Sequence, residues 1–215
     1  MLNLIVQSGI DRIVKQTQAL QKQMAFAASN ALNSTAFDAR TSLGNSTRDY
    51  FNKPTTFTQR GFFVEKATKA TLTAIVGADQ KRGKYLRTQI AGGQRGTKPF
   101  ERRIGTSQLV PGAIKTNASG NVTKAAIVKL TTATSKTGKG STFIGIPKGG
   151  NRPFGLYERQ GKGGKEVLIP RFLQARPQYN SRFPIVNIVS KTVNNKYNYY
   201  FINALEKAIA SARWY

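Results

Sequence analysis

The sequence predicts an α+β protein in which two long amphipathic helices, one near each end, flank β-strands. Two observations predict the helices: apolar residues recur at three- and four-residue steps across residues 10–43 and again across 184–213. A third predicts the strands: 57–65, 70–77 and three short runs between 142 and 170 are rich in β-branched and aromatic residues and are bounded by glycine and proline. At 215 residues the chain is read as one domain, residues 1–215.

The first helix carries Ile10, Ile13, Val14, Leu20, Met24, Ala27, Ala28, Ala31, Leu32, Ala36 and Phe37 at three- and four-residue steps. Ser8 is placed to cap it, with Asp11 in the favourable first turn. The preceding MLNLIVQSG reads as a strand or a hydrophobic lead-in, too short and without the basic start of a signal segment. Gly44 and Asn45 read as stops. A helix over 10–43 spans about 50 Å at 1.5 Å per residue, so it either projects or breaks near Asn33-Ser34-Thr35. Its middle, AFAASNALNSTA, is small-residue-rich and allows close helix contact, within the subunit or between copies. Asn45 to Pro54 reads as a turn or short helix.

Phe57–Glu65 and Ala70–Gly77 read as a strand pair joined by a turn at Lys66–Lys69. Residues 79–105 read as a basic loop opened by Gly92-Gly93 after one or two helical turns at Tyr85, Leu86 and Ile90. Lys81, Arg82, Lys84, Arg87, Arg95, Lys98, Arg102 and Arg103 stand there against only Asp79 and Glu101. Glycine backbone and cationic side chains suit phosphate contacts. The competing reading is a solvated loop that orders in an assembly.

Leu109–Gly112 reads as a turn out of a short strand, NASGN at 117–121 as a turn, and 122–133 as a helix with a strand as the alternative. Ser135–Ser141 is a basic linker without apolar residues. Thr142–Ile146, Gly155–Arg159 and Glu166–Pro170 form a predicted antiparallel meander. Phe172–Phe183 reads as an aromatic–basic connection. Tyr157, Arg159, Arg171, Phe172, Tyr179, Arg182 and Phe183 suit either a base-stacking surface or, the preferred reading, a structural interface. The second long helix has a candidate break at Asn194-Asn195, and Trp214-Tyr215 follow as an aromatic pair expected to pack on a neighbour.

Function classes narrow by subtraction. The chain has no cysteine and no histidine, which removes disulfides, cysteine and histidine metal sites, and Ser-His or Cys-His catalysis. The nine acids, Asp11, Asp38, Asp49, Glu65, Asp79, Glu101, Glu158, Glu166 and Glu206, are scattered, whereas metal-dependent phosphodiester chemistry needs clustered carboxylates. Glu158 and Glu166 face each other across the predicted meander, but local pairing with Arg159 or Lys165 is the preferred reading. No enzyme activity and no cofactor are expected. No 18-residue apolar run is present, so no membrane anchor is expected either. The net charge of +25 points to a polyanion or to acidic protein neighbours, against the competing reading of a soluble protein that merely is basic.

The motifs KATKATLTAIV, YLRTQIAGGQRGTKPFE, LYERQGKGGKEVLIP and the terminal NYYFINALEKAIA, in that order, resemble the bacteriophage minor tail protein Z family and related tail-completion and head–tail joining proteins. The resemblance covers nearly the whole chain and rests on the order of elements, since none of the motifs is catalytic. It implies a curved antiparallel sheet flanked by the two helices. It also implies a structural virion protein of the neck or upper tail, assembled in the host bacterial cytoplasm. Such a protein forms a multi-copy ring with itself, hexameric or dodecameric. Its other partners are portal, adaptor or tail-tube neighbours and the genomic DNA in the channel. The DNA- or partner-facing cations expected on this basis are Lys81, Arg82, Lys84, Arg87, Arg95, Lys98, Arg102, Arg103, Arg159, Lys162 and Lys165. The alternative is a non-specific nucleic-acid-binding protein acting through phosphate contacts, although no helix-turn-helix, zinc-finger or RNA-recognition signature supports it.

Overall fold

The computed structural model describes residues 2–80, 84–106, 108–135, 141–161 and 167–211. In chain order the helices are α1 (Leu2–Tyr50), α2 (Thr56–Gln59), α3 (Arg87–Ala91), α4 (Pro99–Arg103), α5 (Lys124–Thr132) and α6 (Ile185–Ser211). The strands are β1 (Phe62–Glu65), β2 (Ile75–Ala78), β3 (Gly93–Gln94), β4 (Leu109–Pro111), β5 (Thr134–Ser135), β6 (Thr142–Gly145), β7 (Gly155–Gln160), β8 (Val167–Gln174) and β9 (Gln178–Tyr179). The fold is α+β, with a long N-terminal and a long C-terminal helix and mostly antiparallel strands. Where the sequence reading takes 1–215 as one domain, the chain divides into two compact units. The first is Met1–Arg87 with Phe183–Tyr215, and the second, inserted in sequence between them, is Thr88–Arg182.

In the first unit α1 and α6 pack antiparallel. Ala27, Ala31, Ala36, Ala39 and Leu43 are buried along α1, so the small-residue stretch serves contact within the subunit. At the far end Phe183, 1% exposed, stacks on Phe51 and Phe62 at 5.4 and 5.8 Å between ring centroids and meets the edge of Tyr50 at 5.6 Å. The helix is longer than its periodicity suggests. It starts at Leu2 in place of a strand or lead-in, does not break at Asn33–Thr35, and passes through Gly44 and Asn45. Asn33 is occupied elsewhere: its amide donates to the Ala67 carbonyl at 3.0 Å and accepts from the Ala67 N–H at 2.7 Å. Thr35 returns its hydroxyl to Ala31 within the helix. Gly44 is there for close approach, since a Cβ would stand 2.8 Å from the Gln59 carbonyl oxygen. The stop comes later, at Lys53 with φ +48° followed by Pro54.

The strand pair is shorter than expected. Thr55 caps α2 by accepting from the Thr58 N–H, which takes Phe57, Thr58 and Gln59 out of the predicted strand. β1 and β2 pair antiparallel with Phe62 opposite Ala78, and the expected tight turn is a nine-residue connection over 66–74. The ammonium groups of Lys66 and Lys69 sit over the Phe37 and Phe26 rings of α1 at 5.4 and 4.8 Å. In α6, Asn194 and Asn195 are exposed and leave the helix intact. Trp214 and Tyr215 lie outside the described residues.

The second unit is built on a five-stranded sheet of order β4-β8-β7-β6-β5, all antiparallel except β5–β6. It contains the expected meander, β6–β7–β8, extended by an edge strand on each side. Pro111 sits on the β4 edge, where its missing N–H costs no ladder bond. Leu109, Leu156 and Phe172 form the core on one face, covered by Phe100 and Ile104 around α4 and by Ile127 and Leu130 of α5. Thr123 caps α5, which settles 122–133 as helix. A bulge between Leu156 and Tyr157 breaks the β7–β8 register, and Gly155 is required beside it because a Cβ would collide with the Phe172 carbonyl.

Candidate nucleic-acid or partner interface

The predicted basic loop 79–105 is largely folded. It contains a 3-10 turn at Lys84–Leu86, then α3, β3 and α4, and β3 pairs with β9, Gly93 opposite Tyr179. Its organiser is Glu101, which is fully buried. Arg95 donates to both carboxylate oxygens, Nη2 to Oε1 at 2.5 Å and Nη1 to Oε2 at 3.0 Å. The backbone N–H groups of Lys98 and Leu109 donate to the same carboxylate at 2.5 and 3.0 Å. Arg95 also reaches the Leu109 and Gly96 carbonyls at 2.8 and 3.0 Å. One ion pair thereby ties β3, the start of α4 and β4 together.

Burial works to raise the Glu101 pKa, but the Arg95 bond and the Leu109 and Lys98 N–H groups outweigh it and hold the carboxyl below its ordinary value. The same bond raises Arg95, against its own desolvation. Arg95 is therefore withdrawn from the partner-facing set: its guanidinium is committed inside the unit. A buried acid six residues from an arginine was visible in the sequence only as one acid in a basic run.

The other predicted cations divide. Arg87, Lys98, Arg102 and Arg103 are exposed, the last two at the end of α4 where positive charge suits the helix terminus. Arg159 lies half-buried on β7, its guanidinium 4.4 Å over the Phe143 ring, which stacks on Tyr157. Lys81, Arg82, Lys162 and Lys165, and the side chain of Lys84, lie outside the described residues. The structure does not gather the described cations into one binding cleft. It does bring the flanks of two basic glycine-rich segments together, because the Arg159 N–H donates to the Ser141 carbonyl at 2.7 Å.

The stacking surface is not formed. Tyr157, Phe172 and Phe183 are 2%, 3% and 1% exposed, so they are core residues. Arg171 donates to Glu158 at 2.6 Å and to the Ala113 carbonyl, so the partner of Glu158 is a cross-strand arginine in place of its neighbour Arg159. Arg182 donates to the Gln89 side chain at 2.5 Å.

Sequence reasoning missed a groove along the α1–α6 seam. Two lengths of it, about 640 and 660 Å³, meet where the Tyr200 hydroxyl donates to Asp38 at 2.7 Å. Their walls are mixed, apolar at Phe26, Tyr50, Ile188 and Tyr199 and polar at Asn30, Ser34, Ser42 and Asn195, with Lys191, Lys196 and Lys207 on the α6 side. The signal was present as hydroxyl and amide residues recurring at four-residue steps within two stripes read only for their apolar positions.

Among the described residues no group of three acids stands where it could hold a metal ion, and no helix is long and apolar enough to cross a membrane. No family model matches the chain, and neither the curated proteins nor the solved structures contain a match.

Proposed function

We propose that this chain is a structural protein of a bacteriophage virion, joining or completing the tail at the head–tail interface as a multi-copy ring around the DNA channel. The observation that carries the reading is the charge. Nine carboxylates face thirty-four Lys and Arg residues, so the chain carries a net excess of twenty-five positive charges that its own acids do not balance. Two of the acids, Glu101 and Glu158, are already spent on arginines inside the second unit. Exposed Arg102, Arg103, Lys148 and Arg152 of that unit are available to phosphate oxygens or to acidic neighbours such as a portal, adaptor or tail-tube subunit. The order of motifs resembling the minor tail protein Z family supplies the setting. A neck role asks for presented surfaces and for no reaction.

The test is the mass of the purified protein in solution, with and without double-stranded DNA, across a salt series. A ring of defined mass, or assembly only on a portal or tail partner, supports the neck role. A monomer that coats DNA, with log K falling by about 0.9 per contacted phosphate for each unit of log salt, replaces it with stand-alone nucleic-acid binding.

A further inference from the structure

We infer that the outer layer of the second unit, made by α4, the 112–122 segment and α5, is the seat for the phosphate backbone of duplex DNA. The inference rests on the polyanion part of the reading above and commits it to one partner and one face. Between Glu101 and Glu158 the sequence carries no acid. The two bounding acids are both paired with arginines of the unit, Glu101 with Arg95 and Glu158 with Arg171.

The fold gathers part of this stretch onto one side of the five-stranded sheet. Phe100, Ile104, Ile114, Val122, Ile127 and Leu130 all pack on the core of Leu109, Leu156 and Phe172. Three pieces of chain therefore share one inner face, and their other side chains share the outer one. α5 shows the division residue by residue: Lys124, Ala125, Val128, Lys129 and Thr132 are exposed, while 126, 127, 130 and 131 are half-buried. Arg102 and Arg103 stand exposed beside buried Glu101, and Lys115 stands exposed beside Ile114. The 112–122 segment is fixed where it lies. The Gly112 and Ala113 N–H groups donate to the Arg171 and Pro170 carbonyls at 3.0 and 2.7 Å. The Asn117 side chain closes the next turn by accepting from the Ser119 and Asn121 N–H groups at 3.1 and 2.9 Å. A folded surface thus presents five cations and no exposed carboxylate. Arg102 and Arg103 belong to the set expected from the sequence, whereas Lys115, Lys124 and Lys129 do not.

The chemistry of the layer favours nucleic acid over an acidic protein. A protein interface is centred on aromatic and apolar anchors and is depleted of charge at its core. Over residues 99–132 the large apolar side chain left exposed is Val128, among the described residues. The ring of Phe100 packs 5.4 Å from that of Phe172 in the core, so the layer offers no aromatic platform to unstacked bases. What it does offer is Lys and Arg with exposed Thr116 and Asn121 between them, the groups that contact phosphate without reading sequence. A duplex carries closely spaced charge, and release of its condensed counterions drives binding to such a surface.

The test titrates a labelled DNA duplex with full-length protein across a salt series. The parent is compared with a variant carrying Arg102→Gln, Arg103→Gln, Lys115→Gln, Lys124→Gln and Lys129→Gln, and with a smaller variant carrying Lys124→Gln and Lys129→Gln. A third variant removes exposed charge from the first unit by Lys191→Gln, Lys196→Gln and Lys207→Gln. All are checked for an unchanged unfolding curve. At about 0.9 per phosphate contact, the slope of log K against log salt is expected to shrink by about 4.5 in the five-residue variant and about 1.8 in the smaller one. The α6 variant is expected to leave it close to the parent's. An equal loss per removed charge in all three variants makes the binding diffuse and overturns the seat. Polyglutamate that displaces the labelled duplex as well as unlabelled duplex does makes the partner an acidic protein and also overturns it. The mass of each protein is read in parallel. A parent that assembles but does not bind duplex overturns the seat and leaves the neck role standing, and a parent that does neither overturns both.

Discussion

Arg95 and Glu101 stand six residues apart and form a two-pronged ion pair around a carboxylate with no solvent exposure. All four acceptor positions of Glu101 are filled, two by the guanidinium and two by the backbone N–H groups of Lys98 and Leu109. Glu101→Gln keeps the shape but turns an NH2 toward donors and leaves a guanidinium only 15% exposed without its counter-charge. Breaking one side of a buried pair costs about 3–5 kcal/mol. The expected outcome is a lower urea midpoint for unfolding of the second unit, while Arg102→Ala, on the exposed end of α4, stays within about 0.5 kcal/mol of the parent.

The same carboxylate sets an acid limit. Its folded pKa lies below the ordinary value of 4.5, so the unfolded chain takes up the proton first as pH falls. The stability it contributes is present above that value and is lost as pH drops through the folded pKa. Unfolding followed from pH 6 to pH 2.5 is expected to show a steeper loss in the parent than in Glu101→Gln, and parallel curves would remove Glu101 from this role.

Gly44 offers a test in which two principles oppose each other. Alanine is preferred over glycine inside a helix by about 1 kcal/mol, and α1 passes straight through this position. The Gln59 carbonyl oxygen stands 2.8 Å from where the Cβ would go, and it is backbone that cannot swing aside. Overpacking of this kind costs about 1–3 kcal/mol, so Gly44→Ala is expected to lower the melting temperature. Gly44→Ala with a raised melting temperature would mean that α2 moves freely away from α1.

These two sites show where the sequence was legible. Long-range periodicity marked α1, α6 and the β6–β7–β8 meander, because a buried stripe or alternating face repeats over many residues. Single residues with a distant partner did not announce themselves. Gly44 reads as a stop until Gln59 is placed beside it, and Asn33 reads as a break until Ala67 is seen to satisfy both ends of its amide. The basic loop failed for the same reason: one buried acid decides its fold, and composition weighs that acid as one charge among many. Phe172 and Phe183 looked like a presented aromatic surface because charge surrounds them in sequence, while strand pairing and the ring stack bury both.

Tyr200 and Asp38 give the last test, at the opposite end of the pH scale. The Tyr200 hydroxyl donates to the Asp38 carboxylate at 2.7 Å across the seam, and this bond, with burial and the negative charge of Asp38, raises the phenol above its ordinary 10.0. A group whose folded pKa is raised contributes stability that is complete below the unfolded value and is lost as pH climbs through the folded one. Tyr200→Phe removes the donor and is expected to cost about 1 kcal/mol at pH 7. It is also expected to flatten the alkaline limb above pH 10, where the parent must choose between keeping the proton and repelling Asp38. A lower melting temperature for Tyr200→Phe makes the bond a strut between α1 and α6, and an unchanged one removes it from that role.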